Sequence, residues 1–116
     1  MPKKSRAAVT YDTVRRIALA FPDVEDGFSY GTPALKVKGQ LFVRLRPDLD
    51  SVVVKTTFDR RDELMAAEPE IYYITDHYLR YPWILVRLAA ARAEALPELL
   101  REAYAAALPP VKRRRA

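Results

Sequence analysis

Cysteine is absent from the 116 residues, which excludes a disulfide scaffold and a thiolate zinc site. Glycine is scarce: Gly27, Gly31 and Gly39 are the only three, each in a turn-like stretch and none in a phosphate-cradling pattern. Histidine occurs once, as His77, beside Asp76 in TDHYLRYP. No apolar run approaches the roughly 18 residues that a membrane helix needs. The basic start, MPKKSRAA, has no hydrophobic stretch behind it, so no secretory signal is read. A cytoplasmic protein with no membrane contact is the expectation.

What the chain does have is ordinary globular composition, 50% hydrophobic and 30% charged residues, in a length that suits one domain. The formal net charge of +5 is unevenly placed. Lys3, Lys4 and Arg6 stand at one end, and Lys112, Arg113, Arg114 and Arg115 at the other, with no acid among them. Residues 7–111 hold 13 basic side chains against all 15 acidic ones. The body is slightly acidic and the ends are basic. The expected organisation is a basic disordered arm over 1–9, a single domain over 10–108 and a basic tail over 109–116. Basic arms of this kind solubilise a chain, or track phosphate without reading sequence.

Periodicity supplies the elements. Thr10 is placed to cap a helix bearing Val14, Ile17, Ala18 and Phe21 on one face, ended by Pro22. PDVEDGFSYGTP reads as a connector. PALKVK and LFVRLR then alternate with period two and predict a hairpin. A three-residue loop, 38–40, pairs Val37 with Leu41 and Leu35 with Val43, keeping Leu35, Val37, Leu41, Val43 and Leu45 on one buried face. Lys36, Lys38, Phe42, Arg44 and Arg46 then share the outward face, joined by Lys55, Trp83 and Arg87. SVVVK predicts a third strand, 59–67 a short helix with Leu64 and Met65 inward, and EIYYI and WILVRL two more strands. The last helix carries Leu96, Leu99, Leu100, Ala103, Tyr104 and Ala107, with Pro97 in its first turn. The order α-β-β-β-α-β-β-α, with hairpins and helices on one face, predicts an α+β fold: a two-layer α/β sandwich on an antiparallel sheet.

The ordered set FPDVEDGFSYGTPALKVKGQLFVRL, AAEPEIYY, WILVRL and LPELLREAYA, spanning about residues 10–108, resembles the MmcQ/YjbR family of small bacterial proteins. The resemblance implies a two-layer α/β arrangement, and the family is often described as DNA-binding. Many relatives have a histidine shortly before the tryptophan of the last strand; this chain has Tyr81 and Pro82 there.

The candidate site follows from charge and aromaticity. Lys36, Lys38, Arg44 and Arg46, with Lys55 and Arg87 beside them, are assigned to grip nucleic-acid phosphates, with DNA the expected partner. Tyr78, Tyr81 and Trp83 are the aromatic contacts, since exposed rings beside cations can stack bases. The alternative is a non-enzymatic module that binds a protein or a small ligand on the aromatic open face. No catalytic set is assigned: His77 has no serine elbow to serve, and Ser5, Ser29 and Ser51 offer none. Glu25 and Asp26, or Asp59, Asp62 and Glu63, fit connector and first-turn positions better than a cation site, so no metal or cofactor is expected. A monomer is the expected state.

Overall fold

The structure, a computed structural model, describes residues 8–108; most of both expected basic ends, 1–7 and 109–116, lies outside the described residues. Three helices and a six-stranded antiparallel sheet form the expected two-layer α+β fold. The strands run in the order β1-β2-β3-β4-β6-β5. Helix α1 (Tyr11–Leu19) begins at Thr10, whose side chain accepts from the Thr13 backbone N–H while the Thr13 hydroxyl accepts from that of Thr10. This reciprocal cap satisfies two of the free amides at the helix start. Helix α3 (Leu96–Ala107) packs with α1 over one sheet face. Their buried residues, Val14, Ala18, Leu99, Leu100 and Ala103, meet Leu35, Val37, Val43, Val52, Val54, Ile84 and Val86 in one core.

The stretch expected to be a connector is instead a strand, β1 (Val24–Ser29), paired along β2 (Thr32–Val37). As an edge strand it leaves Glu25, Asp26 and Phe28 exposed, so it lacks the apolar alternation that marks a buried strand. Tyr30 and Gly31 link β1 to β2 with φ of 53° and 83°, and Lys38 and Gly39 link β2 to β3 (Gln40–Leu45) with φ of 50° and 81°. Two successive positive φ values make the tight hairpin turn whose twist matches that of strands.

The second turn corrects the expected hairpin register. Two residues, not three, form the loop, so Val37 faces Gln40 and Lys36 faces Leu41. Left alone, that pairing would drive Val43 to the outward face. A β-bulge restores the phase: Leu35 still faces Val43, and Phe42 is the extra residue. Phe42 and Val43 are both fully buried, while Leu41, expected in the core, lies half-buried on the open face. The Phe42 ring meets the edge of Tyr104, centroids 6.1 Å apart, and Tyr104 packs on Phe21 at 5.0 Å and donates to the Pro22 carbonyl at 2.9 Å.

Beyond β3 the sheet continues through β4 (Ser51–Lys55) to β6 (Trp83–Arg87), and β5 (Tyr72–Tyr73) closes the other edge. Helix α2 (Phe58–Ala67) packs against β5 and β6, capped by Thr57. No helix among the described residues is long and apolar enough to cross a membrane.

Candidate functional site: a basic, aromatic groove on the open sheet face

Side chains alternate along a strand, so the bulge decides which ones line the face away from α1 and α3. The cross-strand row Ala34, Arg44, Val53, Leu85 and Tyr73 runs across it. Above this row stands a segment containing a 3-10 turn, Asp76–Tyr78. Between segment and sheet lies a groove of about 680 Å³. Its floor, from the sheet, is Leu41, Arg44, Arg46, Val53 and Trp83, and its walls include Tyr30, His77, Tyr78 and Tyr81. Among the described residues no carboxylate lines it.

The floor cations are held rather than loose. Arg44 donates from Nε to the Ser29 carbonyl at 3.3 Å, reaches the Tyr78 hydroxyl at 3.5 Å, and stacks its guanidinium 5.3 Å from the Tyr30 ring centre. It forms no ion pair among the described residues. Arg46 donates to Asp48 and to the Tyr73 hydroxyl, both at 3.3 Å, and that hydroxyl also shares a 2.7 Å hydrogen bond with Ser51. Tyr30 is 88% exposed and sits at positive φ, an uncommon place for a bulky residue, which turns its ring up at the groove's end.

The other expected contacts are dispersed. Lys55 lies over the Trp83 ring at 4.9 Å, and Arg87 over the Tyr73 ring at 4.0 Å. Lys36 and Lys38 do not line the groove. Lys38 is paired with Asp23 at 3.2 Å, and Lys36 faces Glu25 across β1–β2. The acid-free hairpin of the sequence thus acquires carboxylates from Asp23, just before β1, and from Glu25 within it. Tyr78, Tyr81 and Trp83 converge as grouped, and His77 joins them, its ring edge-on to Tyr78 at 4.7 Å.

One side chain escaped the sequence reading. Arg61 on α2 is 5% exposed and has no carboxylate partner among the described residues. Its Nη1 donates to the carbonyls of Tyr78 at 2.9 Å and Tyr81 at 2.8 Å, with Trp83 at 3.4 Å, and Nη2 donates to Leu79 at 3.1 Å. Its guanidinium also covers the Phe58 ring at 4.9 Å. One guanidinium therefore gathers the backbone that carries the aromatic wall. A signal existed: Arg61 precedes Leu64 by three residues and so shares its inward helical face. No group of three metal-ligating side chains occurs among the described residues.

Fold and groove together define a two-layer α+β domain whose open sheet face is partly roofed by a loop. A family model, YjbR, matches residues 19–106, and the chain belongs to that family. The crystal structure of Deinococcus radiodurans protein DR2400, with a DUF419 domain, superposes with a TM-score of 0.70 at 26% identity, covering 84% of this chain and 77% of that one. The uncharacterized proteins Mb2600 of Mycobacterium bovis and Rv2570 of Mycobacterium tuberculosis are 46% identical to it over 41 residues. That match takes in 35% of this chain and 32% of theirs, so the chain aligns with about a third of their length.

Proposed function

We propose that the chain is a non-catalytic nucleic-acid-binding protein, with DNA as its expected target and the open sheet face as its binding surface. The observation that carries this reading is the groove: Arg44, without an ion pair among the described residues, and Arg46, partly offset by Asp48, beside aromatic rings and with no carboxylate among the described lining residues. Cations attract phosphate by releasing counterions, and rings hold bases by stacking. Lys55 and Arg87 extend the positive face, and Lys36 and Lys38 contribute from the hairpin less strongly, being offset by Glu25 and Asp23. The slightly acidic body argues against broad duplex affinity and for a local site. A second reading, a small anionic planar ligand, is favoured by the groove's volume, which falls within the range of small-molecule sites, about 300–1,000 Å³.

The test is a titration of DNA binding against salt. Each phosphate contact contributes about 0.7–0.9 to the slope of log affinity against log salt, for single and double strands respectively. Replacing Arg44 and Arg46 together with alanine should weaken binding across all sequences and lower that slope by about 1.4–1.8. An unchanged slope would place the phosphate contacts away from Arg44 and Arg46 and end the case for the groove.

A further inference from the structure

Resting on that nucleic-acid reading, we propose that the groove selects unpaired nucleotides, taking a single strand in preference to a duplex. Arg44 on the sheet face is flanked by rings: its guanidinium lies 5.3 Å from the Tyr30 ring centre and 3.5 Å from the Tyr78 hydroxyl. A phosphate reaching Arg44 therefore comes in beside aromatic side chains. A flexible strand can do this with its bases splayed onto those rings, whereas a duplex keeps its bases stacked inside and offers a rigid phosphate surface. The rings are available: Tyr81 is 55% exposed and Tyr30 88% exposed.

The hairpin tip, the element that could enter a duplex groove, is poorly suited to that task. Lys38 at its turn is held by Asp23, and Glu25 lies across from Lys36. Carboxylates there repel the phosphates that flank a duplex groove. Single-strand binders combine a basic track with stacking rings and tolerate many sequences, and this floor and wall are that combination. DNA and RNA strands share this chemistry.

The experiment uses the 116-residue chain and fluorescence anisotropy. A labelled short oligothymidylate, the matching oligouridylate and a duplex of equal length are compared at one salt concentration. Unlabelled thymidine monophosphate serves as a separate ligand. Single strands should bind at least about tenfold tighter than the duplex, and Tyr81→Ala should remove about that factor from the single strands alone. Tyr81→Phe should retain it, since stacking needs the ring and not the hydroxyl. The ratio of oligothymidylate to oligouridylate then identifies which strand is preferred. Equal or tighter duplex binding overturns the single-strand inference while leaving the nucleic-acid reading intact. Binding that ignores loss of Arg44 and Arg46 overturns the reading itself. Binding of the monophosphate without either oligonucleotide overturns both and leaves the small-ligand alternative.

Discussion

Replacing Arg61 with methionine removes the guanidinium while keeping a stem that can cover Phe58. The consequence can be worked carbonyl by carbonyl. Leu79 O loses its Arg61 partner, and because Leu79 is 57% exposed water can replace part of that bond, so this loss is about 1 kcal/mol. Tyr78 O and Tyr81 O each keep a backbone donor, from Tyr81 N at 3.1 Å and Trp83 N at 2.8 Å, so each loses less. Against this, a buried guanidinium no longer has to be stripped of water, which returns part of the loss. The net expectation is a destabilisation of about 1–2 kcal/mol, still a sizeable share of a typical 5–15 kcal/mol. Arg61→Lys should fall between, because one ammonium cannot span four carbonyls. Urea unfolding followed by circular dichroism measures the total. Hydrogen exchange locates it: amides of residues 76–83 should exchange faster in the methionine variant by a larger factor than those of α1 or α3. A variant as stable as the parent, with the loop equally protected, would refute the idea that Arg61 holds the wall.

Tyr11 has a buried hydroxyl with no partner among the described residues, and burial, reinforced by Asp26, pushes its pKa up to about 12. Between the ordinary value of 10.0 and about 12 the unfolded chain releases this proton while the folded chain keeps it, so stability falls across that window as pH rises. Tyr11→Phe should flatten that alkaline limb and add about 1 kcal/mol at neutral pH by removing the orphan hydroxyl. Glu68, hydrogen-bonded to Arg92, is held below the usual carboxylate range. Stability from this pair is complete above the usual carboxylate range and is lost as pH falls below it through the lowered folded-state value, and Glu68→Gln should remove that part of the acid limb in a pH series of urea midpoints. His77 makes no hydrogen bond among the described residues, so His77→Ala should leave the unfolding midpoint unchanged. Loss of a measured turnover in that variant would instead reinstate acid–base catalysis.

The helices and most of the sheet are legible because their signals are local. Thr10 and Pro97 mark helix starts, the Leu96-to-Ala107 face has helical spacing, and SVVVK and WILVR are apolar runs of strand length. Tyr72 and Tyr73 divide between core and open face as alternation requires. Strand β1 is not legible, since an edge strand with exposed residues on both faces, Glu25 and Asp26 among them, carries no hydrophobic alternation. Nor is the bulge, because a shorter turn and an extra residue compensate in phase and leave Arg44 and Arg46 outward under either reading. The groove depends on where residues 75–81 return over the sheet, and Arg61 decides that from another helix. Long-range contacts of this type leave little trace in periodicity.

The extra residue in β3 makes the hairpin unequally tolerant of codon losses at neighbouring positions. Exchanging Phe42 for another large apolar residue asks only for local repacking around Tyr104. Deleting it removes the bulge: with Val37 still opposite Gln40 and Lys36 opposite Leu41, Val43 falls opposite Leu35 by plain alternation and Arg44 stays opposite Ala34 on the open face. The core loses a fully buried ring, but the phase of the strand survives. Deleting Arg44 instead has no compensating extra residue, so Leu45 would turn to the open face and Arg46 toward the aliphatic core. Length variation among viable variants of this strand should therefore fall at the bulge and not beyond it.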